Sequence, residues 1–383
     1  MRLAPNRRLA YLCLQATTQG QASHAHVHEI IDGMREDGWT VDLYEPSYAG
    51  KAAPGALARL LEFWRVQQRL RRRLGDYDAV YVRAHAFAYP LARAASRRHV
   101  PIIQEVNGSY EDLFTAWPTA RWARGPLTAA MTWQYKRATA LIGVTPGLSR
   151  WLNEQTGRSD TATVPNGANT EVFRPERDVD EARRPRDDYA VFFGALAAWQ
   201  GVPLILDAVR LPEWPPEVHL TVIGDGALRA EVERAAQLDD RVRYLGRLPY
   251  RELGRIVAGA ICSLVVMDEP LRTGSLGMSP LKYYESMAAG VPVIVAEAPD
   301  IGDEVRRLGT GIVVPPSDPA AIALAVARLA SDPEARRAMG DRGRDAAEEL
   351  HSWRTRAGET MRIIEKAIED SRETETSSAR TST

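Results

Sequence analysis

The feature that most constrains this chain is an alternation, sustained from end to end, of short apolar β-branched runs with segments of helical period. In the first half the runs are Leu9–Leu14, Thr40–Tyr44, Ala79–Val82, Pro101–Val106 and Leu141–Val144. Between the first two, Val27, Ile30, Ile31 and Met34 follow the i, i+3, i+4, i+7 spacing of a helix that buries one face. Apolar strands separated by helices imply a parallel sheet covered on both sides.

The alternation stops once and restarts. Arg174–Asp188 (RPERDVDEARRPRDD) is charged, holds two prolines and has no apolar period, so it reads as a linker. Beyond it lie the runs Tyr189–Phe193, Leu220–Ile223, Val242–Leu245, Ile261–Val266 and Val291–Val295. The expected fold class is α/β, with two doubly wound, Rossmann-like domains facing each other across a cleft. The expected parts are a first domain at 1–175, a linker at 176–188 and a second domain at 189–350. A helix at 351–370 then packs back on the first domain, and 371–383 is a polar tail expected to be disordered. The length of 383 residues exceeds what one hydrophobic core serves, in line with two domains.

Composition excludes several classes. Cys13 and Cys262 are the only cysteines, too few for a disulfide framework or a cysteine-based zinc site. No run of 18 apolar residues exists, so no membrane-spanning helix is expected. Met1–Leu14 lacks the long apolar core of a signal peptide, and the expected location is the cytoplasm, peripheral at the inner face of a membrane. The net charge of −1 conceals a split: residues 1–150 hold 20 basic and 12 acidic residues, and the remainder carries a net −9. Such asymmetry implies different partners for the two halves. Gly55–Leu74 reads as a helix with Leu57, Leu60, Leu61, Trp64 and Leu74 on a broad face. Arg59, Arg65, Arg69, Arg71, Arg72 and Arg73 oppose only Glu62, so the Arg59–Arg73 region is a candidate for an anionic membrane surface. No reader motif accompanies the charge, and nucleic acid is not an expected partner.

The candidate chemistry collects at strand ends. In Gly274–Gly290 (GSLGMSPLKYYESMAAG), Ser279 reads as an N-cap and Pro280 as the first helical residue. Lys282 then falls in the first turn and Glu285 one turn further. A first-turn cation opposes the helix dipole, so it needs a reason to be there, and a diphosphate supplies one. Glu285 is placed to accept from a ribose diol. Gly224-Asp225-Gly226 follows a strand, where the backbone can approach a nucleotide or merely turn into the next helix; it is not the dinucleotide fingerprint. In Thr17–Ser23 (TTQGQAS), Gly20 is placed to turn its backbone toward phosphates. His24, His26 and His28 recur at every second position, and His24, with Glu105, Asn107 and Gly108, is an acceptor-side candidate. Glu105, Asn107 and Gly108 end the fourth strand; Glu105 reads as a buried partner of Arg83. No metal constellation is found, because Asp187-Asp188 and Asp239-Asp240 sit in charged loops.

These motifs resemble a family. SPLKYYESMAAGVPVIV (279–295) is similar to the donor-site signature of glycosyltransferase family 4, in the branch reading S-P-x-K-x-x-E-x-M-A-x-G-x-P-V. FFGALAAWQGVPLILDA (192–208) resembles the start of the donor domain, and LTVIGDG (220–226) its second strand. VRYLGRLPYREL (242–253), with Arg247 and Leu248, resembles the strand that passes the base. VPNGANTEVFRP (164–175) resembles the segment closing the first domain. The resemblance runs from about residue 9 to 360 and implies a GT-B architecture. It further implies a nucleotide-diphosphate sugar as donor substrate, a hydroxyl acceptor, retention of anomeric configuration and no cofactor or metal. Three departures stand out. Ala195 and Gln200 occupy positions where many members carry Arg and Lys, and Gly277 stands where the wider family has Glu. The resemblance then leaves Lys282 and Arg272 to offset the diphosphate, and gives the sugar hydroxyls to the backbone of Ser275, Leu276, Gly277 and Met278. Asn107 stands where many members place a His against the donor sugar, so it is expected to bond the sugar without proton transfer. The alternatives are a nucleotide-sugar epimerase or hydrolase of the same fold, and a non-catalytic GT-B-like partner subunit.

Overall fold

The computed structural model describes residues 6–17, 22–49, 54–175, 187–267 and 276–381. Most of the expected linker at 176–188, and the candidates Gly20, Arg272 and Ser275, lie outside the described residues. The chain forms two compact units. Unit 1 takes residues up to Pro165 and those from Arg356 onward; unit 2 takes Asn166–Thr355.

Unit 1 is built on six strands: β1 (Arg8–Cys13), β2 (Thr40–Tyr44), β3 (Ala79–Arg83), β4 (Ile102–Val106), β5 (Ala140–Gly143) and β6 (Ala162–Thr163). Their order is β2-β1-β3-β4-β5-β6, and every pair is parallel. Unit 2 repeats the plan with β7 (Tyr189–Ala195), β8 (His219–Asp225), β9 (Val242–Tyr244), β10 (Cys262–Val265), β11 (Val293–Ala296) and β12 (Gly311–Val314). The order there is β12-β11-β10-β7-β8-β9, again all parallel. Strand order reverses between β1 and β3 in unit 1, and between β7 and β10 in unit 2. In such sheets the carboxyl ends of the strands at the reversal form a ready ligand crevice. No helix among the described residues is long and apolar enough to cross a membrane.

All ten expected strands are present. The sequence reading omits β6 and β12, which have two and four residues and carry too little pattern to register. Two boundaries also differ. Residues 166–175 cluster with unit 2 because three carbonyls from Thr170, Phe173 and Ala288 converge on the Arg344 guanidinium at 2.7–2.9 Å. Phe173 is fully buried in the same core as β7 and β11. The tail expected to be disordered continues the backbone helix Trp353–Thr381. That helix is nucleated upstream, where Met361, Ile364, Ala367 and Ile368 are buried and Arg7 pairs with Glu365 at 2.8 Å. Extending a formed helix fixes one residue per added bond, without the cost of a new nucleus.

The β7–β8 pair explains one glycine. Gly194 and Gly224 are directly opposed in register, and Gly224 has φ 139°. A Cβ at 224 would lie 1.8 Å from the Gly194 carbonyl oxygen. Gly224→Ala should therefore cost about 2 kcal/mol or more, through overpacking and a strained φ. Urea unfolding of the two proteins checks this.

Candidate functional site

Each unit gathers buried polar groups at the strand ends beside its reversal point. In unit 1 the centre is Glu105, near the end of β4 and only 2% exposed. The register sets Glu105 opposite Arg83, and Tyr81 two residues earlier points to the same face of the sheet. Arg83 donates to Oε1 at 3.0 Å and Tyr81 to Oε2 at 2.5 Å. The Asn107 amide donates to Oε1 at 2.6 Å, and His26 Nε2 lies 2.8 Å from Oε2. Burial alone would raise this carboxyl's pKa, but the neighbouring His26 and Arg83, with the Tyr81 hydroxyl, hold it well below the usual carboxylate range. Asn107 thus spends one of its two amide N–H bonds on Glu105, which fixes the plane of its amide.

The expected Glu105–Arg83 pair is present, and the buried histidine of the triplet is His26. His24 lies elsewhere: its ring stacks on His28 with centroids 4.0 Å apart, and partial burial with His28 nearby lowers its pKa. The helix Ala22–Glu36 decides this, because positions i and i+4 share a face and the residue between them turns inward. Gly108 serves the next helix. A Cβ there would lie 2.4 Å from Asp112 Oδ2, which caps the helix Tyr110–Ala116 by accepting from the Ser109 N–H.

In unit 2 the helix Leu281–Ala288 buries all eight of its residues. Its N-cap is Pro280 and not Ser279, because Ser279 Oγ accepts from the Asn166 N–H at 2.9 Å and meets the Tyr284 hydroxyl at 3.1 Å. Lys282 is therefore the second helical residue. It is 6% exposed, lies 4.1 Å over the Phe192 ring, and donates to Gln200 Oε1 at 2.6 Å. Burial pulls its pKa down to about 7, against a smaller upward pull from Glu285. Glu285 is also buried and accepts from the Tyr250 hydroxyl at 3.2 Å. Phe192 is the middle residue of β7 and Gly194 stands nearer its end beside the ammonium, so Lys282 lies toward the carboxyl end of a reversal strand.

The other donor-side candidates are less concentrated. Gly224 and Gly226 are required by neighbouring backbone, since a Cβ on Gly226 would lie 2.5 Å from the Leu196 oxygen. Asp225 accepts from the Gly226 N–H and pairs with the exposed Arg247 at 3.3 Å. Leu248 is half-buried against the core that includes the Lys282 helix. Met278 is buried, Leu276 is half-buried, and Gly277 has φ 70°, a left-handed turn just before the helix. Sequence reasoning missed His26, Tyr81, Gln200 and Tyr250 as partners. Strand parity gives Tyr81 once Arg83 is chosen, but the other three are contacts made only by folding.

The basic helix of unit 1, Ala56–Arg72, turns apolar residues to two sides. Phe63, Val66, Gln67 and Leu70 face the core. Leu57, Leu60, Leu61 and Trp64 form a stripe on the opposite side and are exposed, Leu57 by 84%. Only Leu74 of the expected face is buried. Trp122, in the turn Pro118–Ala123, is 97% exposed. Among the described residues no group of three His, Cys, Asp or Glu is set to hold a metal ion.

Comparison with known proteins gives a consistent result. Residues 173–346 match the family "Glycosyl transferases group 1", and residues 23–172 match "Glycosyltransferase Family 4". A probable glycosyltransferase WbjE of Pseudomonas aeruginosa is 36% identical over 137 residues, about a third of each chain (34% of this one, 33% of that). A phosphatidyl-myo-inositol mannosyltransferase of Mycobacterium leprae is 26% identical over 94% of this chain and 96% of its own. A sucrose-phosphate synthase structure from Thermosynechococcus elongatus superposes with a TM-score of 0.76 at 17% identity, covering 94% of this chain and 99% of that one.

The Glu105 cluster carries its own test. A carboxylate with a depressed pKa adds stability above its unfolded pKa of about 4.3 and loses it as pH falls. Glu105→Gln should lower stability at pH 7 by about 3 kcal/mol, by stranding the buried Arg83 charge. The gap between the two proteins should narrow as pH drops below about 4. Denaturant unfolding at pH 7 and at pH 3.5 measures both.

Proposed function

This chain belongs to glycosyltransferase family 4 and has the GT-B architecture, and we propose that it moves a sugar from a nucleotide-diphosphate donor to a hydroxyl acceptor with retention. The observation that carries the reading is Lys282: a buried ammonium at the carboxyl end of β7, partnered by a neutral amide. A cation in that state is costly unless an anion comes to it. Glu285, one turn along the same helix, suits a ribose hydroxyl pair. Unit 2 is thus the donor side.

The chemistry follows from where charge develops. As the bond from the sugar's anomeric carbon to the phosphate oxygen breaks, negative charge grows on the departing diphosphate. Lys282 and the start of its helix meet that charge without reorganising. The acceptor oxygen bonds to the same face of that carbon and passes its proton to the departing phosphate oxygen; this front-face route is what the family resemblance implies. No bound metal is needed in this scheme, and turnover should survive EDTA. On the acceptor side, Asn107 offers an amide oxygen held in place by Glu105.

Lys282→Met should lower turnover about 100-fold or more with little change in melting temperature. Glu285→Gln should weaken nucleotide binding. Melting shifts with a panel of UDP- and GDP-sugars identify the donor. Sugar or epimer released from donor alone would favour an epimerase or hydrolase, and no shift with any nucleotide would favour a non-catalytic subunit.

A membrane-borne acceptor is the finer part of the proposal. The exposed stripe of Leu57, Leu60, Leu61 and Trp64 is flanked by Arg65, Arg71 and Arg72, and the one acid of the helix, Glu62, is engaged by the Ser47 N–H at 2.9 Å. Each arginine near an anionic surface contributes about 1 kcal/mol. The Mycobacterium leprae relative is named for a phosphatidylinositol acceptor, which supports the same reading. The protein should float with anionic vesicles and not with neutral ones. Leu57→Ser with Trp64→Ser should abolish flotation while leaving transfer to a soluble acceptor unchanged.

A further inference from the structure

Gln200 sits at the end of the turn Ala198–Gln200 that follows β7, and it is 8% exposed. Its place is fixed from both sides. The Gln200 N–H donates to the Ala197 carbonyl at 3.0 Å, and Gly201 follows with φ 78°. A Cβ on Gly201 would lie 1.9 Å from the Val266 oxygen, so the turn is seated against the end of β10. The partner is equally constrained, because Lys282 belongs to a helix with no exposed residue. Two rigid elements thus meet through one hydrogen bond, from Lys282 Nζ to Gln200 Oε1 at 2.6 Å.

The chemistry of that partner is informative. An amide oxygen accepts one of the three ammonium N–H bonds without neutralising the charge. A carboxylate there would also fix the ammonium but would neutralise it. A second cation would repel it, and an apolar residue would leave a four-carbon chain free to change rotamer. Among the described residues, the charged group acting on Lys282 is Glu285 on its own helix, which is engaged by Tyr250. The Phe192 ring below and Gly194 beside it, whose added Cβ would only just touch the ammonium at 3.5 Å, bring no charge.

We propose that Gln200 is a positioning residue for donor binding: it holds the Lys282 ammonium in one place while leaving its charge available to the diphosphate. This inference rests on the donor role assigned above to Lys282. It also gives Gln200 a purpose at a position where the family resemblance leads one to expect a cation, since one cation reaching in from the helix needs a neutral anchor on the loop.

Two near-isosteric variants test it. Calorimetric titration with UDP and with GDP gives the wild-type affinity for whichever nucleotide binds. Gln200→Glu should weaken that affinity at least about tenfold at pH 7, while the melting temperature holds or rises, because the new ion pair stabilises the fold and cancels the attraction. Its affinity should also vary less between pH 6 and pH 8.5, since a carboxylate partner raises the lysine pKa and keeps it charged across that range. Gln200→Met, which loses the acceptor but keeps the shape, should lower kcat more than it raises KM. Unchanged affinity and pH dependence in Gln200→Glu would overturn the positioning role while leaving the donor site standing. Absence of any nucleotide binding by the wild-type protein would overturn the donor reading, and this inference with it.

Discussion

A buried charge in a parallel α/β sheet has to be answered by its neighbours, and both units are organised around one. Taking a carboxylate out of water costs several kcal/mol even after relaxation. Unit 1 places Glu105 at the end of β4 and surrounds it with Arg83, Tyr81, Asn107 and His26. The four come from β3, from the loop after β4 and from the helix that follows β1. One ionised group therefore ties together two central strands, a loop and a covering helix. The pieces around the reversal point cannot shift independently without uncovering it.

Unit 2 meets the same constraint differently. Lys282 has a ring beneath it and an amide oxygen beside it, and its pKa falls to about 7 because neither replaces the lost water. Glu105 is compensated and rigid; Lys282 is anchored and under-compensated. Structure-building clusters take the first form. A group kept partly unsatisfied takes the second, and buried groups with perturbed pKa concentrate where ligands bind. The contrast between the two sites is a stronger guide to function than either alone, because both lie at corresponding places in similar sheets.

How far this could be read from the sequence depends on the range of the signal. Strands such as Ala79–Arg83 and Val293–Ala296 are written in their own apolar runs, and the Lys282–Glu285 spacing is written in one helix. Short-range signals of that kind carried the fold and the donor motif. The Glu105–Arg83 pair was legible because two strand ends with opposite charges suggest each other. Choosing His26 over its neighbours needed the helix phase relative to the sheet, which no local pattern states. Gln200 reads in sequence as a missing cation, and its meaning lies in a contact with a residue 82 positions away. The glycines of Gly224-Asp225-Gly226 have a reason that no local pattern states: a Cβ on either one would run into the backbone of Gly194 or Leu196.

The helix Ala56–Arg72 shows why composition had to be resolved by face. In sequence its leucines and tryptophan read as one broad apolar face. Phe63, Val66 and Leu70 already supply the face that packs, so Leu57, Leu60, Leu61 and Trp64 are left over and point outward. An exposed apolar stripe is a liability in water unless something else covers it. Arginines lie beside the stripe, in a half of the chain with a net charge of +8, so apolar area and positive charge share one surface. In unit 2, by contrast, the buried cation among the described residues is Lys282, held beside an amide oxygen. One unit therefore spreads positive charge over the surface of a helix, and the other fixes it at a point inside the fold.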